Sequence, residues 1–385
     1  MNDIIYELFN RKKELNKSKG YTFYDSQFHF YSPNSRDLDK IDKLIEDYSH
    51  TGVDKMNHTR QFEIVMITSP VLFENMFIKL KNMEHNLIKT FKDGIFHKEY
   101  LVGNESTIYI EETGNPCYLI LKVDLCYFII LKNEVDLNLA FRVVREVIFR
   151  TSEDDGFIMF HAGAVVFKES GIMVCGDKAS GKTTMLLSLI LNGADYISND
   201  RLLVKETKQG FLMKYFPISM RIGRGTIAAI PQLAKKVNDN GQKWSRPQVE
   251  EIRNQVNLDE REDFGSAVKL EITSKELKEL FAVNLKEQAN LKTIIFPKIN
   301  LSISDIHVSE MDSKKAATLL QEQCMSPLDE NWIEPWLKKR RETDQFILEY
   351  SEKLVDHMIE QTKVYQIEFG KNIFNDSQQL LNDFE

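Results

Sequence analysis

The apolar run Ile172 to Cys175 passes directly into Gly176-Asp177-Lys178-Ala179-Ser180-Gly181-Lys182-Thr183 and then into "TTMLLSLILN". No other feature constrains the fold as much. The octet fills every position of G-x-x-x-x-G-K-[ST], a pattern that works only where a strand hands over to a helix through a tight turn. Its glycines let the backbone curl so that successive N–H groups point inward, and the helix that opens at Thr183 adds the positive end of its dipole. Such a loop cradles phosphate. Lys182 reaches the β and γ phosphates as a compact charge, and the Thr183 hydroxyl ligates Mg²⁺. The expected nucleotide-binding set is therefore Gly176, Asp177, Lys178, Ala179, Ser180, Gly181, Lys182, Thr183 and Thr184. Background residue frequencies put a chance match on the order of one in a hundred for a chain this long, before the flanking strand and helix are counted.

Ahead of the loop, "FIMFHAGAVVF" reads as a strand, and Lys168-Glu169-Ser170-Gly171 turns it into the strand that feeds the loop. After the helix, Gly193 is a C-cap, "DYIS" is a short strand, and Asp200 arrives eighteen positions after Lys182. One helix and one returning strand bring the end of that strand back beside the loop, so Asp200 is expected to face the phosphates. A carboxylate there can hold Mg²⁺ or accept a hydroxyl proton. His161 lies in an apolar strand, where a lone histidine is more often a core residue than a catalyst; its position relative to the loop makes it a candidate.

From "HAGAVVF" through "GDKASGKTTMLLSLILNGADYISNDRLLV" the chain resembles the kinase domain of the bacterial HPr kinase/phosphorylase family. In that family a histidine opens an H-G-x-x-V-like strand, a phosphate loop follows, and an acidic pair ends the next strand; His161, Gly176 to Thr183 and Asn199-Asp200 fall on these features. The resemblance implies an α/β fold, a P-loop kinase domain of the HPr kinase/phosphoenolpyruvate carboxykinase type, with helices around a curved mixed sheet. It implies ATP as donor, Mg²⁺ on Thr183 and Asp200, a catalytic set of Asp200, His161 and Lys182, and a serine of a peptide or small protein as acceptor. Two positions depart from the pattern: Asn199 replaces the first of two acids, and Ser219 stands where a glutamate precedes Arg221 by two residues. They point to a divergent member, of the kind that tailors ribosomally made peptides, with the phosphate-consuming reverse reaction weak or lost.

A chain of 385 residues exceeds one ordinary core and implies about two domains. Residues 1–135 read as a small α+β domain of unknown role: Leu44 to Tyr48 and Val71 to Leu80 have helical spacing, and "STIYIEETGNPCYLILKVDLCYFIILKNEVD" gives a three-stranded meander. A helix with Leu137, Leu139, Phe141, Val144, Val147 and Ile148 on one face leads into the second domain, 136–385. That domain should also hold a hairpin in "RLLVKETKQGFLMKYFPISMRI", a capping box at Thr273 and Glu276, a helix over 343–361, a strand in "VYQIEFG" and a polar C-terminal helix. The stretch from Ala228 to Phe264 is the candidate mobile loop.

The net charge of -8 is spread along the chain, which argues against a nucleic-acid partner. No apolar run reaches the 18 or so residues of a membrane span, the N-terminus lacks a signal peptide's apolar region, and the four cysteines form no close pair, so a cytoplasmic setting is expected. A homo-oligomer is left open. Arg221 and Arg224 are candidates for holding phosphate or an acidic substrate tail. Lys338 to Arg341, near Trp332 and Trp336, reads as an exposed helix face, and "SPLDENWIEPW" as a lid. Besides a peptide serine kinase, two alternatives remain: a kinase acting on a small-molecule hydroxyl, and a non-catalytic ATP sensor, favoured by the missing second acid.

Overall fold

Among the described residues, one hydrophobic cluster is built from within residues 4–130 and another from within residues 165–381. The computed structural model describes residues 1–381 apart from 16, 24–25, 46–59, 91–93, 104, 134–136, 240, 247, 254–267, 329–333, 371 and 375–379. Its first unit comprises Met1–Asp154 with Pro327–Arg341, and its second Asp155–Ser326 with Glu342–Glu385. Both are mixed α/β, with strands running parallel and antiparallel in curled sheets.

In the first unit eight strands form one sheet, in the order Ser18–Phe23, Ser26–Tyr31, Arg60–Thr68, Cys126–Leu131, Tyr118–Val123, Ser106–Glu111, Phe96–Val102, Asn86–Lys89. The expected three-stranded meander forms as Ser106–Glu111, Tyr118–Val123 and Cys126–Leu131, within the antiparallel half of this sheet. Arg60–Thr68 runs parallel to both of its neighbours. Ile4 and Leu8 of helix Asn2–Glu14, and Leu72, Phe73, Met76 and Leu80 of helix Pro70–Leu80, bury against Val65, Ile108, Leu119 and Phe128 of the sheet.

The helix Leu137–Asp154 falls in the first unit, and residues 327–341 join it there. The helix Leu137–Asp154 carries the fully buried charges Glu146, Arg150 and Glu153, and this distant segment completes their surroundings. Trp336 is 1% exposed; its ring lies 4.5 Å from His97, meets Tyr109 edge-on at 5.5 Å, and has the Arg142 guanidinium 5.6 Å above it. The Trp336 and Leu337 carbonyls accept hydrogen bonds from Tyr109 (2.7 Å) and Tyr127 (3.2 Å). Lys338 pairs with Asp154, and Arg340 with Glu153 at 3.5 Å. The basic run is thus not the helix face its local pattern implied, because each of its four cations meets an acid whose side chain is largely buried: Lys338 and Arg341 meet Asp154, Lys339 meets Glu99 and Arg340 meets Glu153.

In the second unit the strand Gln288–Ile299 is the hinge of the sheet. Its first residues pair antiparallel with Gly210–Tyr215, and its body runs parallel to Ser170–Cys175 on one side and Lys363–Phe369 on the other. The rest of the order is Asp195–Ser198, Ala162–Phe167, Ser170–Cys175 on one flank and Gly210–Tyr215, Leu202–Thr207, Ile158–Phe160 on the other. The helix Lys182–Leu191 is apolar all round, with Met185 through Ile190 buried, as a core helix must be. It crosses Ala162–Phe167 so closely that a Cβ on Gly163 would lie 2.2 Å from Leu186 Cδ1.

The hairpin Leu202–Thr207/Gly210–Tyr215, the Thr273/Glu276 capping box and the helix Asp344–Gln361 form as expected. Within Ala228 to Phe264 the chain forms helices Pro231–Val237 and Glu250–Arg253, and 254–264 lie outside the described residues. So do Trp332 and most of the C-terminal helix. Among the described residues no helix is long and apolar enough to cross a membrane.

Candidate functional site

Burial of Ile172 to Cys175 in the middle of the second sheet fixes the point at which the glycine loop leaves it. The loop then needs backbone that side chains disfavour: φ is +141° at Gly176, +67° at Ala179 and +104° at Gly181, which caps the helix Lys182–Leu191. At Gly181 glycine is required twice, since a Cβ would also meet Ile299 at 2.7 Å and Phe369 at 2.8 Å. Lys182 curls back to donate hydrogen bonds from Nζ to the carbonyls of Gly176 (2.6 Å) and Asp177 (3.0 Å). Burial pulls its pKa down, and the charges of Asp200 and Asp177 oppose that. The Ser180 hydroxyl is buried against Gly176 with no hydrogen-bond partner, an orphaned polar atom inside the loop.

Beyond the strand Asp195–Ser198 the chain turns sharply. The Arg201 N–H donates to the Asn199 carbonyl at 2.8 Å, closing a three-residue turn around Asp200, whose φ is +68°. A γ-turn of this hand is rare and strained, and such strain persists where surrounding contacts over-determine it. Here the Asp200 carboxylate meets His161 Nε2 at 3.0 Å through one oxygen, and accepts from Arg201 Nη1 at 2.8 Å through the other. Burial by itself would raise the Asp200 pKa, but the His161 hydrogen bond and the charges of Arg201, His161 and Lys182 outweigh it and hold the carboxyl well below the usual range. Asp200 stays an anion.

The structure therefore gathers Lys182, Asp200 and His161 within electrostatic or hydrogen-bonding reach of one another. Thr183 reaches Asn199 rather than Asp200, its hydroxyl donating to the amide oxygen at 3.4 Å. Thr184 turns away from the loop: it is 3% exposed and shares a 2.8 Å hydrogen bond with Thr226 of the helix Arg224–Ala229. Lys178 and Ala179 are exposed. No group of three or more His, Cys, Asp or Glu side chains is placed to hold a metal among the described residues.

Three participants escaped the sequence reading. Arg201, beside Asp200 in sequence, could have been noticed as its built-in counterion. Gln323 donates to the Asp177 carboxylate at 3.3 Å while its carbonyl accepts from the His161 N–H at 2.7 Å, and thus ties the loop to the histidine strand. Lys269 lies within electrostatic reach of Asp200, Lys178 and Lys182. No local pattern marks either of these two. No family model matches this chain, and no curated protein matches it.

Proposed function

We propose that this chain is an ATP- and Mg²⁺-dependent kinase that transfers the γ-phosphoryl group to a hydroxyl, most readily the serine of a peptide or small protein. This is the reading that the HPr kinase resemblance implies. The observation that carries it is one ionised carboxylate, Asp200, fixed on a strained turn within electrostatic reach of the loop lysine. Phosphoryl transfer passes through a loose transition state and asks the protein mainly for positioning and charge. A carboxylate held below its ordinary pKa is a weak proton acceptor, so Asp200 serves by orienting the acceptor hydroxyl and the cation. His161 and Arg201 keep its two oxygens aimed.

The donor set fits phosphate-bound Mg²⁺. That ion keeps several waters, takes one or two protein carboxylates and finds its remaining ligands on the phosphates. Thr183 and Asp200 are the residues that would hold it, with the Asn199 amide oxygen at hand. The ion would supply charge neutralisation at the β and γ phosphates. The orphaned Ser180 hydroxyl inside the loop is a further partner for a phosphate oxygen.

A second reading, an ATP sensor without transfer, draws on the Thr183 contact with Asn199, which leaves a single carboxylate at the turn. Labelled ATP separates the two. The kinase passes γ-phosphate to peptides or proteins encoded beside its gene, whereas a sensor binds ATP and passes on none. In Lys182→Ala, loss of a charge-assisted contact worth about 1.5–3 kcal/mol should weaken ATP binding by about ten- to a hundredfold in calorimetry. Unchanged affinity in that variant refutes the nucleotide site itself.

A further inference from the structure

The strands Met220–Gly223 and Lys269–Ile272 form a two-stranded antiparallel ribbon in which Arg221 pairs with Glu271 and Gly223 with Lys269. Alternation puts Met220, Ile222, Leu270 and Ile272 on one face, buried in the same core as Met185, Leu186 and Leu189 of the helix that follows the glycine loop. Packing against that helix fixes the ribbon relative to the loop. The opposite face carries Arg221 and Lys269 as diagonal neighbours together with Glu271, whose carboxylate is taken by Arg246 at 3.6 Å, and Gly223, directly across from Lys269, adds no side chain there.

Lys269 is half-buried, yet among the described residues its ammonium makes no ion pair or hydrogen bond, and the same holds for Arg221 and Lys178. Burial lowers the Lys269 pKa, the Arg221 and Lys178 charges lower it further, and only Asp200 opposes them. Asp200 is already engaged by His161 and Arg201. A partly desolvated lysine beside two other cations is a site that an anion completes.

We propose that Lys269 and Arg221 form an oxyanion-binding subsite beside the glycine loop, which holds a phosphate or carboxylate group carried by the acceptor. The proposal rests on the loop being a nucleotide site, and it names the acceptor class: a hydroxyl compound or hydroxyl-bearing peptide with an anionic group close to the hydroxyl. The placement explains why the cations are there. An anionic acceptor is repelled by the phosphates of ATP, and cations on the Asp200 side of the loop offset that repulsion where the hydroxyl must sit.

The test loads the full chain with Mg²⁺ and the non-hydrolysable analogue AMP-PNP, then titrates inorganic phosphate and, in a separate arm, acetate, by calorimetry. One phosphate should bind per loaded chain. Lys269→Met, which keeps the aliphatic stem and its packing, should weaken it at least tenfold, Arg221→Ala should weaken it severalfold, and Lys269→Arg should restore it. AMP-PNP affinity should fall by several-fold less than phosphate affinity in each variant that loses phosphate. A loaded wild-type chain that binds neither anion overturns the subsite. So does a loss of AMP-PNP affinity in Lys269→Met equal to the loss for phosphate, since the lysine then serves the nucleotide. Tighter binding of acetate than phosphate assigns the site to carboxylates and supports it. Failure of AMP-PNP to bind, or unchanged AMP-PNP affinity in Lys182→Ala, strikes the nucleotide reading and this subsite with it; loss of the anion alone strikes only the subsite.

Discussion

Changing Asp200 to asparagine removes a charge and almost nothing else. The side chain keeps its shape, and its amide oxygen can still accept from Arg201 or meet His161. What goes is the charge in two contacts, 3.0 Å to His161 and 2.8 Å to Arg201. Charge-assisted hydrogen bonds exceed neutral ones by about 1 kcal/mol each, and the Asp200 side chain is 38% exposed, so solvent screening trims the sum to about 1–2 kcal/mol. For a unit of this size that lowers the melting temperature by roughly 2–8 °C. The effect on transfer should be far larger, at least about a hundredfold, because the group that orients the acceptor and the cation is neutralised. Single-turnover phosphorylation at saturating Mg-ATP measures the second effect and calorimetric melting the first. Near-normal transfer by Asp200→Asn refutes the assignment. The pH dependence gives an independent check. A carboxyl with a depressed folded pKa contributes stability that is present above its unfolded value and lost as pH falls through its folded value. The stability gap between wild type and Asp200→Asn should therefore persist as pH falls to about 5, and close only below the ordinary carboxylate range near 4.

In the first unit, Trp336→Ala should cost about 3–5 kcal/mol, since it empties a slot lined by His97, Tyr109 and Arg142; hydrogen exchange in the strands holding Tyr109 and Tyr127 should report it, and a loss under about 1 kcal/mol refutes the anchoring role. The same slot should make this unit acid-sensitive. Burial, helped by the Arg142 charge, lowers the His97 pKa to about 3, and its two nitrogens meet Thr90 and Tyr118. Protons then bind the unfolded chain first, and stability should fall as pH drops below about 6.5, by about 2 kcal/mol at pH 5; chemical denaturation of His97→Gln should lack that step.

Much of the second unit was legible because its signals are local. The apolar run, the glycine spacing and the apolar helix that follows are each set by neighbours in sequence, and the capping box at Thr273 is a four-residue motif. The distance from Lys182 to Asp200 could be read because one helix and one strand leave the chain little freedom in returning. What could not be read was long-range or geometric. The turn that aims Asp200 depends on φ at a non-glycine residue, and residue type alone does not announce it. Gln323 and Lys269 arrive from far along the chain. Lys338 to Arg341 misled for the opposite reason: a run of cations looks solvated until its buried acids are known.

The chain passes between the two units three times, and this sets an order of events on the ribosome. Residues 1–154 emerge first with the Trp336 slot empty and with Glu146, Arg150 and Glu153 still awaiting their cover. At about 5–20 residues per second, the roughly 170 residues from Asp155 to Ser326 take about 10–35 s to follow. During that time the first unit is a nearly finished sheet with a gap, and the helix Leu137–Asp154 holds acids whose later partners have not yet been made. Any nascent chain released before Arg341 keeps the gap for good.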